Sequence, residues 1–111
     1  MSLLIGTGRG SGDRPASGPV RVLNGRKEYP SLSQGEIAVI KRPDSELVIW
    51  LDRVSGIITR SGGVAAHLAL IALEAEIPYL VLQEEFGGGL ESGMEVIMDP
   101  VRGTVHFVED A

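Results

Sequence analysis

The middle of the sequence places a strand, a glycine turn, a helix and a second strand in immediate succession, and this order narrows the choice of fold. Ile57–Thr59 is a short β-branched run, and Ser61–Gly63 is a turn. Residues 64–75 are rich in Ala and Leu and contain neither Gly nor Pro, which predicts a helix. Pro78 ends it, and Tyr79–Leu82 is typical of a buried strand. The stretch therefore favours a fold of the α/β class.

Short elements joined by tight turns make up the rest of the predicted fold. The chain has 15 glycines and 6 prolines among 111 residues, and these residue types mark turns. A second helix is predicted from Asp44 or Ser45, either of which can cap it, to Gly56. Further strands are predicted from apolar alternation or short apolar runs at Pro19–Leu23, Ile37–Ile40, Glu95–Met98 and Thr104–Val108. The predicted fold is an α/β domain with short strands around two to three short helices.

The sequence divides into a glycine-rich beginning and a single domain. A length of 111 residues is that of one domain. Residues 6–18 are rich in Gly and contain Pro15, which predicts a loop. We therefore expect a flexible lead-in over residues 1–18 and one domain over residues 19–111.

Composition argues against several classes of function. A net charge of −5 without a basic run argues against sequence-independent nucleic-acid binding. The absence of cysteine rules out disulfides and thiolate chemistry, and the two histidines, His67 and His106, are too few for a histidine-rich metal site. The apolar runs are shorter than the roughly 20 residues of a membrane-spanning helix, and no signal peptide is evident. We therefore expect a cytoplasmic protein that binds neither nucleic acid, membrane nor metal.

His67 is the residue of greatest chemical interest because it lies in the opening turn of the predicted helix, soon after Gly62 and Gly63. The first turn of a helix exposes unpaired backbone N–H groups and a partial positive charge, which together attract phosphate. The same charge favours the neutral imidazole, so a histidine here can attack phosphorus and hold a phosphoryl group. A lone histidine at a helix start is more often a plain surface residue, and local chemistry alone leaves both interpretations open. His106 alternates with apolar neighbours on the closing strand and is interpreted as structural.

Four separated segments follow the order of a known family. Residues 62–78 match the signature Gly-Gly-x-Thr-Ser-His-Ala-Ala-Ile-x-Ala-Arg-x-x-x-Ile-Pro at Gly62, Gly63, His67, Ala69, Ala72, Ile77 and Pro78. The other segments are Ala16–Val22, Gly35–Val39 and a closing hairpin over residues 90–105. Over roughly residues 8–108 the chain resembles the phosphohistidine, or swivelling, domain of phosphoenolpyruvate-utilising enzymes. That family includes pyruvate phosphate dikinase, phosphoenolpyruvate synthase and enzyme I of the sugar phosphotransferase system.

The resemblance implies a swivelling β/β/α domain in which His67 carries a phosphoryl group between two distant sites. One implied site is a nucleotide-binding domain of ATP-grasp type, and the other binds pyruvate or phosphoenolpyruvate, in the same chain or a partner chain. This chain would bind no cofactor itself, and ATP, Mg²⁺ and phosphoenolpyruvate or pyruvate are expected on the companion domains. The implied phosphate-binding residues are Arg60, the loop glycines Gly62 and Gly63, and the backbone N–H groups near Ala66 and Leu68.

The sequence departs from the family pattern at polar positions around the histidine. Ala65 and Ala66 stand where the family has two hydroxyls, and Leu68 is bulkier than the usual residue. Leu73 replaces an arginine, and Arg60 stands where an acidic residue is common. Three hypotheses are therefore open: a phosphoryl carrier, a degenerate swivelling domain with an interaction or regulatory role, and the small domain of another enzyme class such as a dehydratase.

Overall fold

Residues 2–60, 64–82 and 89–108 are described by this computed structural model, and they form seven strands and three short helices. The helices are α1 (Ala65–Glu74) and two 3-10 helices, Arg26–Ser31 and Ser45–Trp50. The strands are β1 (Ser2–Ser11), β2 (Ala16–Leu23), β3 (Glu36–Ile40), β4 (Val54–Arg60), β5 (Tyr79–Leu82), β6 (Glu95–Asp99) and β7 (Thr104–Val108). The predicted α/β class is confirmed. Each of the six strands predicted from residue 19 onward lies within one of the strands β2 to β7.

The strands close into a barrel in the order β1-β5-β4-β3-β2-β6-β7. β2, β3, β4 and β5 run parallel, and the remaining contacts are antiparallel. Parallel neighbours need connections that cross a face of the sheet. The two 3-10 helices and α1 lie in these three connections and form a helical layer outside the barrel.

Two apolar clusters cover the two faces of the parallel strands. β3 is buried at every position, as expected for a strand with both faces covered. The first cluster fills the barrel and includes Val20, Val39, Ile58, Leu80, Val96, Met98 and Val105. The second joins the strands to the helical layer and includes Tyr29, Ala38, Leu47, Ile57, Leu68, Ala72 and Tyr79.

α1 confirms the helix predicted over residues 64–75. Its buried residues Ala65, Leu68 and Ala72 are spaced by three and four, which aligns them on one face. The helix ends in a left-handed residue, Glu76, whose φ is 61°. The N–H of Ile77 then donates to the carbonyl of Ala72 at 2.8 Å, which closes the last turn.

The beginning of the chain is a strand and not the loop predicted over residues 6–18. β1 pairs with β5 along one side and with β7 along the other. Its glycines recur with the strand period of two, and a side chain would collide with neighbouring backbone at two of them. A Cβ at Gly8 would lie 1.9 Å from the Val81 oxygen, and one at Gly10 would lie 1.9 Å from the Pro100 oxygen. The glycines therefore permit close approach rather than flexibility.

The second predicted helix differs from the structure in type and in length. It is a 3-10 helix that ends at Trp50, and Asp44 caps it by accepting the N–H of Glu46 at 2.8 Å. Gly56, the predicted stop, lies inside β4. A Cβ there would lie 2.5 Å from the Met98 sulfur, so a larger residue would force the buried Met98 side chain to shift. The helix at Arg26–Ser31 has no apolar period and was not predicted.

Candidate functional site around His67

α1 connects two parallel strands, and this connection sets the position of its first turn. β4 ends at Arg60 and β5 begins at Tyr79, in a register that pairs Ile57 with Tyr79. The helix therefore begins at the edge where the parallel strands end and returns to the edge where they begin. His67 is the third residue of α1 and lies at the first of these edges.

The His67 side chain is exposed, and its neighbours along the helix alternate between buried and exposed faces. Ala65 and Leu68 are 3% and 1% exposed and pack inward. Ala66 and His67 lie on the solvent face. No side chain of the described residues hydrogen-bonds to the imidazole, so its ring nitrogens are accessible to a reactant from solvent.

The first turn of α1 offers backbone donors without a side-chain cap. Val64 is at the N-cap position and makes no side-chain hydrogen bond. The first N–H groups of an α-helix have no partner within the helix, and these belong here to Ala65, Ala66 and His67. The N–H of Leu68 donates to the Val64 carbonyl at 2.9 Å. The resemblance implied that the backbone N–H near Leu68 binds phosphate. Instead, the N–H of Leu68 is held within the helix, and its side chain is buried.

The remaining predicted phosphate-binding residues precede the helix. Arg60 ends β4 and is exposed. Gly62 and Gly63 lie outside the described residues. His106, interpreted as structural, is half-buried on β7 between Leu4 of β1 and Ile97 of β6.

A buried polar pair lies between β4 and β5, one residue before Arg60. The Thr59 hydroxyl and the Tyr79 hydroxyl are 3.0 Å apart, and both residues are fully buried. Burial raises the pKa of Tyr79 above its ordinary value, and the hydrogen bond to Thr59 offsets part of that rise. The pair links β4 to β5 next to Arg60, the last residue of β4 before the chain continues to α1. It was not predicted from the sequence.

Comparison with known proteins shows the family to which this arrangement belongs. The family described as "PEP-utilising enzyme, mobile domain" matches residues 32–103. The chain belongs to this family. The match spans β3 to the turn before β7, and His67 with the first turn of α1 lies within it.

Relatives of this mobile domain are much longer proteins. The phosphoenolpyruvate synthase of Helicobacter pylori is 30% identical over 105 residues, which are 95% of this chain and 13% of that protein. The phosphoenolpyruvate synthase of Aeropyrum pernix is 35% identical over 92 residues, which are 82% and 11%. The pyruvate kinase of Bacillus licheniformis is 28% identical over 104 residues, which are 93% and 18%. The chain thus spans between about a tenth and a fifth of these relatives, which contain further domains.

Solved structures share the fold of the mobile domain. An enzyme I structure determined by NMR has a TM-score of 0.63 and 24% identity over 74% of this chain and 34% of that one. Aconitase X of Thermococcus kodakaraensis has a TM-score of 0.66 and 18% identity over 98% of this chain and 99% of that one. These likenesses concern the fold alone, and they confirm the predicted swivelling β/β/α architecture. The dehydratase hypothesis stays a prediction.

The described residues contain neither a cluster of metal-ligating side chains nor a helix that could span a membrane. No group of three or more His, Asp or Glu side chains in this part of the chain is arranged to hold a metal ion. None of its helices has the length and apolar character needed to cross a membrane.

Proposed function

We propose that this mobile domain is a phosphoryl carrier, in which His67 accepts a phosphoryl group and passes it on. The observation that supports this most is an exposed histidine in the first turn of α1, inside the residues matched by the family. Its imidazole is open to a reactant, and the backbone donors of the turn have no side-chain cap. The arrangement suits a nucleophile whose product is an anion.

The proposed chemistry consists of two displacements at phosphorus. A His67 ring nitrogen uses its free electron pair to form a bond to phosphorus, and the leaving group departs with the electrons of the bond that breaks. An acceptor oxygen later attacks the same phosphorus, and the imidazole recovers its electron pair. Between the two steps, the N–H groups of Ala66 and His67 are donors for the phosphoryl oxygens, whose negative charge also interacts favourably with the helix dipole.

Companion domains would supply the donor and the acceptor. The curated relatives are phosphoenolpyruvate synthases and pyruvate kinases of which the mobile domain is a small part. We propose a nucleotide-binding domain of ATP-grasp type and a domain that binds pyruvate or phosphoenolpyruvate, in the same or a partner chain. ATP, Mg²⁺ and phosphoenolpyruvate or pyruvate would bind there.

Intact-mass spectrometry after exposure to phosphoramidate tests the carrier role. We expect the chain to gain one phosphoryl group, which is lost in acid as expected of a phosphorus–nitrogen bond. His67→Ala should gain none. His106→Ala is the matched control because His106 is the other histidine of the chain, and it should be labelled like the wild type. Equal labelling of the wild type and His67→Ala would overturn the proposal.

The apolar surface beside His67 favours a second candidate, a degenerate swivelling domain with an interaction or regulatory role. Leu70 and Leu73 are 63% and 50% exposed on α1, and Ala66 is exposed as well. None of these side chains offers a polar group to phosphate. On this alternative, the wild-type chain stays unlabelled although its amide spectrum shows it to be folded, and His67→Ala does not change the activity of the full-length protein.

A further inference from the structure

α1 is apolar on two sides, although only one side packs against the barrel. Its inward side carries the three buried residues that join the second apolar cluster. A further set of apolar residues, Ala66, Leu70 and Leu73, lies on the solvent side, and we call it the outer stripe. Leu70 and Leu73 are 63% and 50% exposed. A helix that is apolar on both sides is normally covered on both, so the outer stripe indicates a docking surface.

The spacing of the outer stripe favours a second helix as its partner. Its members are separated by four and then three positions, which is the spacing of the apolar seam between two packed helices. Such a seam accepts the matching seam of another helix, whose side chains insert between its own. Beyond the end of α1, the apolar surface continues in a groove of about 350 Å³ that is lined in part by Leu73, Ile77, Pro78 and residues 12–14.

The charges at the ends of α1 favour an antiparallel partner. The first turn contains no acidic residue, and the last turn contains no basic residue. Glu74 and Glu76 instead lie at the carboxyl end, where both are exposed. Neither carboxylate has a Lys, Arg or His nitrogen of the described residues within 4.0 Å. In antiparallel packing, these carboxylates lie beside the positive first turn of the other helix, at both ends of the pair. A second copy of the same helix therefore supplies the complementary charge.

We propose that the outer stripe is a self-association surface, on which α1 of a second copy packs antiparallel about a twofold axis near Leu70. In an interface with twofold symmetry the same patch is used by both copies, so Leu70 contacts Leu70 of the other copy. Glu74 and Glu76 then lie level with residues 64–66 of the other copy. α1 has 10 residues and is about 15 Å long, so the interface is small and the dimer dissociates readily.

The self-association surface is separate from the proposed carrier chemistry. Successive residues of a helix are about 100° apart around its axis, so His67 lies to one side of the outer stripe. The association requires neither a phosphoryl donor nor a modified histidine. It therefore goes beyond the proposed function and can be tested without it.

Sedimentation equilibrium of the chain between about 10 µM and 1 mM tests the proposal. We expect the average mass to rise from that of one chain towards that of two. Leu70→Gln/Leu73→Gln should weaken the association about tenfold because it replaces apolar contacts with polar groups. The matched control is Leu3→Gln/Leu4→Gln, whose leucines are 66% and 52% exposed on β1 where it pairs with β7. It should change the dissociation constant less than about twofold.

Cross-linking tests the position of the twofold axis, because the chain contains no cysteine of its own. With copper–phenanthroline as the oxidant, Leu70→Cys should form a disulfide-linked dimer much faster than Leu4→Cys. Amide spectra of each variant show that it is folded.

The outcomes separate this proposal from the carrier function. A wild type that stays monomeric up to ~1 mM would overturn the proposal and leave the outer stripe to a different partner. Equal weakening by the two double variants, or equal rates of cross-linking at positions 70 and 4, would also overturn it. Phosphoramidate labelling reports the carrier function in a separate sample. A chain that is labelled on His67 but does not associate retains only the carrier role, and a chain with the reverse behaviour retains only the self-association surface.

Discussion

Two buried tyrosines differ in what their hydroxyl groups contact. The Tyr79 hydroxyl pairs with Thr59 at 3.0 Å, and both residues are fully buried. Tyr29 is equally buried, and its hydroxyl has no hydrogen-bond partner among the described residues. A buried polar group is stabilised only when it keeps its partner, so the two hydroxyls contribute differently to the free energy of unfolding.

We expect Tyr79→Phe to lower the free energy of unfolding by about 1–2 kcal/mol because it leaves the Thr59 hydroxyl buried without a partner. The double variant Thr59→Val/Tyr79→Phe should cost less than the sum of its single changes, since both partners leave together. Tyr29→Phe is the matched control and should change the free energy by no more than about 0.5 kcal/mol. Urea denaturation measures the free energy of unfolding of Tyr79→Phe, Thr59→Val, their double variant and Tyr29→Phe. Equal losses for the two tyrosine variants, or strict additivity in the cycle, would contradict the pairing.

Stability should also fall at high pH. Burial, and then the Asp44 carboxylate, raise the pKa of Tyr29 to about 12, whereas an unfolded chain ionises tyrosine near pH ~10. Between these values the unfolded state has released a proton that the folded state retains. The contribution of Tyr29 to the free energy of unfolding is therefore complete below pH ~10, and it is lost as the pH rises towards about 12. Urea midpoints across this window should fall less in Tyr29→Phe than in the wild type, and identical curves would show that Tyr29 does not contribute.

At the residue scale, the sequence predicted what depends on neighbours along the chain. His67 was predicted to lie in the opening turn of an Ala-rich helix, and it is the third residue of α1. The Thr59–Tyr79 pair could not be predicted, since its members are 20 residues apart and meet only because β4 and β5 are adjacent. The resemblance implied phosphate contacts from the N–H groups near Ala66 and Leu68, whereas the N–H of Leu68 donates to the Val64 carbonyl because the helix begins at Ala65.

At the scale of elements, β1 depends on glycines that admit neighbouring backbone. Gly8→Ala would bring a Cβ within 1.9 Å of the Val81 oxygen, and we expect a loss of ~3 kcal/mol or more in the free energy of unfolding. Gly25→Ala is the control because a Cβ there meets nothing within 4 Å, and its φ of 176° suits any residue. Thermal denaturation should separate the two variants clearly. A Gly8→Ala chain as stable as Gly25→Ala would contradict the position of β1 in the barrel.

Elements with an apolar signal were predicted, and elements without one were not. β3 and α1 carry runs or stripes of apolar residues, and both were found. From Gly6 to Ser11, β1 alternates glycine with polar or charged residues, so its period of two has no hydrophobic contrast and suggested a loop. In the segment from Asp44, a good cap and apolar spacing predicted an α-helix. The chain instead forms a 3-10 helix over Ser45–Trp50, and β4 begins at Val54.

At the scale of the whole molecule, charge distribution follows from topology rather than from composition. An acidic sequence without a basic run argued against sequence-independent nucleic-acid binding and gave no sign of a basic surface. Four parallel strands nevertheless end at one edge, where exposed Lys41 and Arg60 directly follow the paired residues Ile40 and Thr59. Sequence separation hides such a surface, and only the strand order reveals it. The family itself was predictable because its signature segments keep their order across the chain.

On the proposed function, the phosphoryl group resides on His67, at the first turn of α1. The most direct test is ³¹P and ¹H–¹⁵N NMR of the chain after reaction with phosphoramidate. We predict one phosphohistidine resonance, large shifts of the His67 ring nitrogens, and amide shifts centred on the first turn of α1. A phosphoryl group on His106 or on a hydroxyl, or a folded chain that carries none, would contradict the account.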